Sequence, residues 1–491
     1  MNTTGLGITL RGLLLAGALT APATSALAQQ IDEVVVTGRR VSEAAVAIGT
    51  DEPTATVSIT RDALLSAPAG ITGLKMLESL PGFNVQANDA LGMYEFGNSV
   101  TVRAFSFTQI GFLLDDVPMG RSDQFGGSPI YRYVDNENLL RVQASSGAGD
   151  VSLPSYASLG TIVDYFTTPP KEAFGGAASV TFGSDSLFRN FLRLDTGEHK
   201  GLSAYVARSD IQSDLWRGAG DISREHIEGK IRYRAEGGQE LTFQAVYNDY
   251  FDYDSPAITK AQYEGPADQF GRSGRFFPYL NYVPSLTPAA PGVTYSNALY
   301  NQYYKQAINS RTDYLYALTF KSPVGENIDL SATGYYEDKQ GYGVSPEAYA
   351  TSLASHNAER LIIPGLVAPR GLQYGLSTID GTRKGISAKA EWRLANHKIQ
   401  AGAWYENDEY HRTQARYNHA GGNPDAAPLL NEPVHLQRDF VSTRETRQFF
   451  LKDIVSLLDD RLKLDLGFKG LWIDYDITGS RNPADYIARR T

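Results

Sequence analysis

The stretch IEGKIRYRAEGGQELTFQAVYN, residues 227–248, changes character at every second position. In its first half Ile227 and Ile231 fall on one face, and charged side chains fall on the other. A period of two is that of a β-strand, whose successive side chains point to opposite sides. Gly237-Gly238 divides the stretch as the tight turn of a hairpin would. The stretch therefore predicts two antiparallel strands with one apolar and one polar face.

The same alternation recurs down the rest of the chain, for example at 386–394 and 462–472. It predicts eleven strands, at about 176–184, 187–195, 201–210, 223–235, 239–251, 311–321, 327–338, 384–394, 397–409, 443–455 and 461–475. Tight turns alternate with long connections at about 252–310, 339–383 and 410–442. A soluble sandwich would also alternate, but short turns on one side and long loops on the other are typical of outer-membrane barrels.

In lipid every backbone polar group needs a partner within the protein, so only a closed sheet is stable there. We therefore expect the charged faces to line a polar lumen and the apolar faces to contact acyl chains. Aromatic residues near strand ends are expected to form interfacial girdles. The candidates are Tyr247, Tyr250, Trp392, Trp404, Tyr405 and Trp472.

Composition sets further limits on function. The chain has 491 residues, 42% of them hydrophobic, and a net charge of −10 without a basic stripe, which argues against a nucleic-acid partner. The sequence contains no cysteine, which excludes disulfides and thiolate chemistry. We found no HExxH, GxSxG, phosphate-loop or dinucleotide motif in its required context, and so expect no catalytic residue, cofactor or resident metal.

The first 28 residues have the pattern of a signal peptide. Arg11 precedes a short apolar run at 12–19, and Ala26-Leu27-Ala28 supplies a small-residue cleavage pattern. The run is too short for a membrane helix. The sequence therefore predicts Sec-type export, with Gln29 as the new N-terminus.

Residues 41–170 mix helix and strand signals and predict a small α+β domain. A helix is expected at 60–65, where Thr60 is a candidate N-cap, and another at 73–80, which Pro81-Gly82 ends. Adjacent carboxylates at Asp115-Asp116 are interpreted as a turn rather than an acid–base pair.

Five motifs in this domain, together with the segment before it, resemble the TonB-dependent outer-membrane receptors. The motifs are Leu77–Val85, Val100–Phe105, Phe112–Gly120, Leu140–Gly147 and Ser158–Pro170, and the residues that carry them are Pro81, Gly82, Arg103, Asp115, Pro118, Arg141 and Gly160. The chain departs from the family pattern at Ala104, Asp116, Gln143 and Leu159.

The resemblance implies a domain organisation. Residues 1–28 are the signal peptide, 29–40 the TonB box with an N-terminal extension, 41–170 a plug domain and 171–491 an antiparallel transmembrane β-barrel. The family's barrel has 22 strands, so about half is expected here, and we expect the sequence to be a C-terminally incomplete record. The TonB box is expected at Asp32, Glu33, Val34, Val35, Val36 and Thr37, an extended peptide suited to strand addition onto a partner's sheet edge.

The resemblance also implies a function: energy-coupled uptake of a scarce ligand across the outer membrane of a Gram-negative bacterium, without covalent chemistry. The implied partners are TonB with its inner-membrane energising complex, outer-membrane lipids and a small extracellular ligand, first of all a ferric siderophore. Glycans, cobalamin and small aromatic compounds are alternative ligands. A passive porin or adhesin and a secreted β enzyme are alternatives of another class.

Two groups of residues are candidates for ligand contact. Aromatic rings stack on flat ligands and arginines pair with anionic ones, although a loop can also pack its own aromatic residues into a lid. Tyr94 and Arg121 are placed near the ligand by family position. The long loop adds Arg272, Arg275, Phe276, Phe277 and Tyr279.

Overall fold

The computed structural model describes residues 56–103, 105–120, 127–145, 149–156, 160–216, 220–254, 260–264, 287–296 and 304–480. The chain is built mainly from strands in these parts. No helix in the described ranges is long and apolar enough to cross a membrane. The predicted TonB box, Ala104, Arg121 and the five loop candidates from Arg272 to Tyr279 lie outside the described residues.

The first part is a small α+β domain. Its elements are β1 (Thr56–Ile59), α1 (Arg61–Ser66), β2 (Phe83–Gln86), β3 (Ser99–Val102), β4 (Phe105–Ser106), β5 (Gly111–Leu114), β6 (Val117–Met119), β7 (Leu139–Ser145) and β8 (Ile162–Thr167). Helix α1 begins after Thr60, whose hydroxyl accepts from the Ala63 N–H as an N-cap does. The helix predicted at 73–80 is a 3₁₀ helix at Lys75–Ser79.

Two sheets organise this domain. Five strands pair in the order β1-β7-β8-β5-β6, and β2-β3-β4 form a smaller sheet. Strands β5 and β8 are parallel, whereas the other pairs in both sheets are antiparallel. Asp115 and Asp116 connect β5 to β6 with φ of 47° and 71°. The predicted turn is confirmed, since positive φ at both central residues matches the twist of a tight hairpin.

The second part is one large antiparallel sheet. Its strands are β9 (Phe174–Phe182), β10 (Phe188–Thr196), β11 (Leu202–Asp214), β12 (Asp221–Arg234), β13 (Glu240–Tyr253), β14 (Ile308–Val324), β15 (Ile328–Glu347), β16 (Gln373–Leu394), β17 (His397–His419), β18 (Pro428–Leu457) and β19 (Leu462–Ser480). Each strand pairs with its neighbours in the sequence, and β9 and β19 form the two edges. All eleven predicted strands are confirmed. This sheet, β9–β19, forms part of a barrel, and we call it the wall.

The strands are longer than predicted on the side of the long connections. Strand β17 continues to His419 and β18 begins at Pro428, so most of the predicted loop 410–442 is strand. The 30 residues of β18 extend about 100 Å at roughly 3.4 Å per residue, well beyond the hydrocarbon layer. The apolar alternation weakens there because neither face meets lipid, while the backbone pairing continues.

Within the described parts of the long connections lie the α-helices α2 (Lys260–Glu264) and α3 (Tyr349–Glu359). Helix α3 lies inside the predicted loop 339–383.

The two faces of the wall differ as predicted. On β12 the side chains of Arg224, His226, Glu228, Lys230 and Arg232 are buried on the inside, and those at the alternate positions point outward. Exposed apolar side chains cover the outside, among them Leu194, Phe243, Leu318, Ile386, Leu451, Leu466 and Phe468. Such an apolar band is what a lipid-facing surface requires.

Two of the predicted girdle residues point inward instead. Tyr250 and Trp404 are each 2% exposed, whereas Trp392, Tyr405 and Trp472 are on the outer surface. Tyr250 shares its face with Asp252, to which its hydroxyl donates, and Trp404 donates to the Tyr335 hydroxyl. Side-chain direction follows odd or even position on the strand, so aromatic character near a strand end was not sufficient evidence.

The main apolar core extends from the α+β domain, which we call the plug, into the wall. It contains plug residues such as Leu77 and Val142 and also inward-facing residues of β11 to β15, including Ile211, Val246 and Leu315. Strands β16 to β19 meet the plug through polar side chains instead, such as those of Arg383, Glu406, Gln448 and Lys452. The plug is therefore bound to β11–β15 by apolar packing together with buried ion pairs, such as Arg224–Asp135 and Arg132–Asp313, and to β16–β19 mainly by polar contacts.

Candidate ligand-binding site

A cavity of about 350 Å³ lies between the plug and the wall on the side of the long connections. The plug contributes Glu95, Phe96, Asn98, Phe107 and Tyr131, and the wall contributes Asp254, Asn309, Arg311, Gly343, Val344, Ser345, Ser377, Ile379, Tyr410, Arg412 and Gln414. In barrels of this type the long connections are extracellular. The cavity is thus on the side from which an external ligand would arrive.

A capped turn positions the plug side of the cavity. The Asp89 carboxylate accepts from the N–H groups of Leu91, Met93 and Tyr94 at 3.0, 3.0 and 2.9 Å. This turn leads into the 3₁₀ helix Glu95–Gly97, from which the Phe96 ring projects, 60% exposed. The plug therefore presents an open aromatic surface next to the cavity, suited to stacking.

Glu95 is neutralised by the plug itself. Arg132 forms a buried ion pair with Glu95 through two nitrogens, and its Nη1 lies 3.0 Å from Asp313 Oδ2 on β14. Burial raises the pKa of Asp254 at the rim, although Asn309 and the Tyr94 hydroxyl donate to this carboxyl. The two acidic groups that line the cavity thus have ion-pair or hydrogen-bond partners within the protein.

Two arginines line the opposite side. Arg311 Nη1 donates to the backbone oxygens of Ser310 and Tyr342 at 2.8 and 2.9 Å, which fixes the guanidinium against the wall. Arg412 lines the cavity from β17, and its buried Nε has no hydrogen-bond partner within the described residues. An arginine with an unsatisfied buried nitrogen is suited to bind an anion, because charge-assisted hydrogen bonds are the strong ones.

A further arginine follows on the neighbouring strand. Arg438 lies opposite Gln414 in the β17–β18 register, and its buried Nε also has no partner within the described residues. Arg416, two residues beyond Gln414, forms an ion pair with Glu347 at 3.2 Å. The outer end of β17 and β18 therefore has excess positive charge near the cavity.

Among the predicted ligand contacts, Tyr94 is the one within the described residues. It is 6% exposed, and its hydroxyl lies 3.3 Å from Asp254 Oδ1 at the cavity rim. Its ring neighbours that of Phe96, with centroids 6.4 Å apart. Tyr94 is thus next to the cavity and positions its rim.

The sequence analysis did not single out Phe96, Arg311 or Arg412, although it placed the plug segment that contains Phe96 near the ligand by family position. Arg311 and Arg412 occupy inward positions of β14 and β17, and extending the period-two pattern of β17 beyond residue 409 would have found Arg412. The prediction ended that strand too early. Phe96 carries no periodic signal, because it lies in a short 3₁₀ turn.

The motif residues of the plug occupy structural positions. Gly82 has a φ of 82°, which favours glycine, and a Cβ at Gly160 would lie 2.7 Å from the Phe105 ring. Asp115 accepts from the Thr167 N–H and hydroxyl and pairs with Lys230 of the wall at 2.9 Å. Arg141 stacks over the Phe166 ring at 3.9 Å.

Two further motif residues, Pro118 and Arg103, also have structural positions. The Pro118 carbonyl accepts from Arg383, which is fully buried between Glu337 and Glu406. Arg103 ends β3 with a φ of 54°. The motifs thus build the plug and attach it to the wall.

Comparison with known proteins agrees with this architecture. Residues 50–161 match the family described as the TonB-dependent Receptor Plug Domain. No curated protein sequence matches the chain significantly.

Most of the chain is similar in fold to solved transport receptors. For the ferric citrate transporter FecA in its unliganded form the TM-score is 0.64 at 14% identity, over 87% of this chain and 57% of that one. The siderophore receptor PiuA from Acinetobacter baumannii gives 0.56 at 14% identity, over 88% and 63%. The ferric yersiniabactin uptake receptor FyuA from Yersinia pestis gives 0.57 at 12% identity, over 87% and 61%. The chain thus spans less than two thirds of the length of each of these receptors.

Proposed function

Since the chain is a TonB-dependent receptor with a plug domain and part of a barrel, we propose that it takes up an anionic ligand, most simply a ferric siderophore. The observation that carries this proposal is the cavity between Phe96 of the plug and Arg311 and Arg412 of the wall. The acidic groups that line it have partners within the protein, and the buried Nε of Arg412 has none within the described residues, which favours a negatively charged complex. The similar receptors for ferric citrate and siderophores support the same ligand class.

Energy coupling is the second part of the proposal. Asp32–Thr37 would be offered to TonB in the periplasm as an added strand, and the energising complex of the inner membrane would supply the work. Ligand binding at the cavity and TonB binding at this segment would be coupled through the plug. The location that follows is the outer membrane of a Gram-negative bacterium, reached by Sec-type export.

The binding site is tested by exchanging one arginine at a time. With radioiron-labelled ferric citrate and ferric trihydroxamate and tricatecholate complexes as probes, Arg412→Ala should weaken binding of the cognate complex about 10-fold or more, the effect of losing a hydrogen bond to a charged group. Arg447→Ala is the matched control, because this arginine is 58% exposed on the outer face of β18. Equal affinity of the Arg412→Ala and Arg447→Ala variants would contradict the proposed site.

Energy coupling is tested separately, by deleting residues 32–37. The deletion should abolish uptake and leave binding unchanged. A passive porin or adhesin would keep its permeability after the deletion. Binding of a neutral glycan, cobalamin or an uncharged aromatic compound in place of every ferric complex would assign one of the alternative ligands.

A further inference from the structure

A narrow gap separates the plug from the inner face of the wall. It has a volume of about 30 Å³ and is lined by Asp116 and residues 152–154 of the plug and by side chains of β15 to β18. A space of this size admits one or two water molecules and no larger solute, because one water needs on the order of 10–15 Å³. The gap is therefore closed in this structure.

The wall side of the gap offers both polar and apolar groups. Ser331, Thr333 and Ser387 contribute hydroxyl groups from β15 and β16, and the larger side chains on this side are those of Lys389, Trp404, Gln448 and Phe450. The plug side of the gap is formed by Asp116 and residues 152–154. Residues 152–154 belong to the segment 149–156, which we call the strap.

The strap is fastened to the wall by polar contacts. Lys452 pairs with Asp150 at 3.0 Å, and Lys469 and Gln448 donate to the Leu153 carbonyl at 2.8 and 3.2 Å. At its end the Tyr156 hydroxyl donates to Glu406 at 2.7 Å. Water can replace these partners when the strap leaves, although the three bonds that involve a charged group are stronger than an ordinary hydrogen bond.

The side of the plug that faces β11–β15 has apolar packing in addition to polar contacts. There the apolar core continues from the plug into these strands through residues such as Ile211, Val246 and Leu315. Separating these surfaces would expose apolar area to water and would also break ion pairs such as Arg224–Asp135 and Lys230–Asp115. The strap side is therefore the easier one to open.

The strap is also free of the plug's strand pairing. It lies in the connection between β7, which ends at Ser145, and β8, which begins at Ile162. It can leave the wall without breaking the ladder between these two strands. Movement of the strap therefore does not require the plug sheet to unfold.

From these observations we propose that the ligand crosses between the strap and strands β15–β18, and that the strap swings off the wall to admit it. The proposal rests on the proposed uptake function and adds its route. The plug sheet stays attached to β11–β15 in this step.

One pair of residues allows the strap to be locked. A Cβ built on Gly467 of β19 lies 3.5 Å from the Cβ of Val151, within the range of disulfides. The chain has no cysteine, so Val151→Cys with Gly467→Cys introduces a single possible pair. The matched control is Ala390→Cys with Ala401→Cys, which face each other on the outer side of β16 and β17, away from the gap, and connect wall to wall.

Uptake of radioiron-labelled ferric complexes by energised cells is the first readout. The oxidised strap pair should reduce uptake to the level of the 32–37 deletion, keep surface binding, and recover on reduction. The control pair should transport equally in both redox states. Full uptake with the strap disulfide formed would overturn the proposed route.

A second readout does not depend on knowing the ligand. Ser387→Cys, behind the strap, should react with a small hydrophilic maleimide in energised cells and be protected by a protonophore, whereas Ala317→Cys on the apolar side stays unreactive in both. If Ser387→Cys is not labelled, or is labelled equally with and without the protonophore, the proposal that the strap opens is overturned. If the unmodified protein takes up no ferric complex, the proposed function is wrong. The labelling of Ser387→Cys still tests whether the strap opens.

Discussion

At the scale of single residues, Asp164 and Asp150 of the plug show opposite electrostatic consequences of burial. Asp164 on β8 is 6% exposed, and its Oδ1 has no hydrogen-bond partner within the described residues. Burial, together with Asp116 and Asp115, raises its pKa well above the usual range. Burial would also raise the pKa of Asp150, but Lys452 and the hydrogen bonds of Ser152 outweigh it and lower that pKa.

We predict that Asp164→Asn stabilises the plug at alkaline pH. A raised folded-state pKa means that the folded protein holds its proton more tightly than the unfolded chain, so the stability is full below about pH 4 and is lost as pH rises. The amide cannot ionise, and the variant should gain about 1–3 kcal/mol at pH 8, with a smaller difference near pH 4. The measurement is the urea midpoint at which the plug becomes protease-sensitive in detergent.

Asp150→Asn is the matched control of opposite sign. A lowered folded-state pKa contributes stability above the unfolded value, and this contribution is lost on acidification. The Asp150→Asn variant should therefore be destabilised at pH 8 and approach the unmodified protein in acid. If the stability of both variants relative to the unmodified protein changes with pH in the same direction, the opposite pKa shifts assigned to Asp164 and Asp150 are wrong.

At the scale of elements, the large sheet was predictable and its outer extensions were not. Within the membrane the two faces of each strand meet different solvents, so the sequence must alternate, and the eleven strands follow from that constraint. Beyond the membrane both faces of β17 and β18 meet water or other polar groups. Arg412 was missed for this reason, since it lies just past the predicted end of β17.

Helix α3 was missed for a related reason. Its buried residues are Ser352, His356 and Glu359, which give no apolar period for a sequence pattern to detect. They bind instead: His356 Nδ1 lies 2.9 Å from the Val434 carbonyl, and Glu359 accepts from the Leu436 N–H at 2.6 Å. Polar contacts to β18 thus hold this helix in place.

Helix α3 should detach from β18 when Glu359, its last buried residue, is replaced. In Glu359→Ala the partly buried Leu436 N–H loses its charged acceptor, which costs about 1–3 kcal/mol, and the connection from 348 to 372 should be cleaved faster by trypsin at Arg360 and Arg370. Asn357→Ala changes an exposed position on the same helix and should leave the cleavage rate unchanged. Equal rates for the two variants would contradict the role assigned to Glu359.

At the scale of the whole molecule, the plug and part of the wall form one apolar core. Leu77 of the plug and Leu315 of β14 belong to the same cluster and are both 0% exposed. Alternation along β14 predicts that Leu315 faces inward, but a single strand does not reveal that the inner face meets a plug. Contacts between residues so distant in sequence arise only when the sheet curves around the first domain.

This shared core makes the stability of the plug depend on the wall. Leu315→Ala should leave a cavity between β14 and the plug and cost about 2–5 kcal/mol, and the loss should appear as faster hydrogen exchange in β7 and β8 as well as in β14. Leu318→Ala is the control, because Leu318 points outward from the same strand and is 48% exposed. Its effect should remain in the wall, without a change in plug exchange. A response to Leu315→Ala confined to β14 and its neighbouring strands would mean that the plug is stabilised independently of β11–β15, and the strap would then no longer be its more weakly held side.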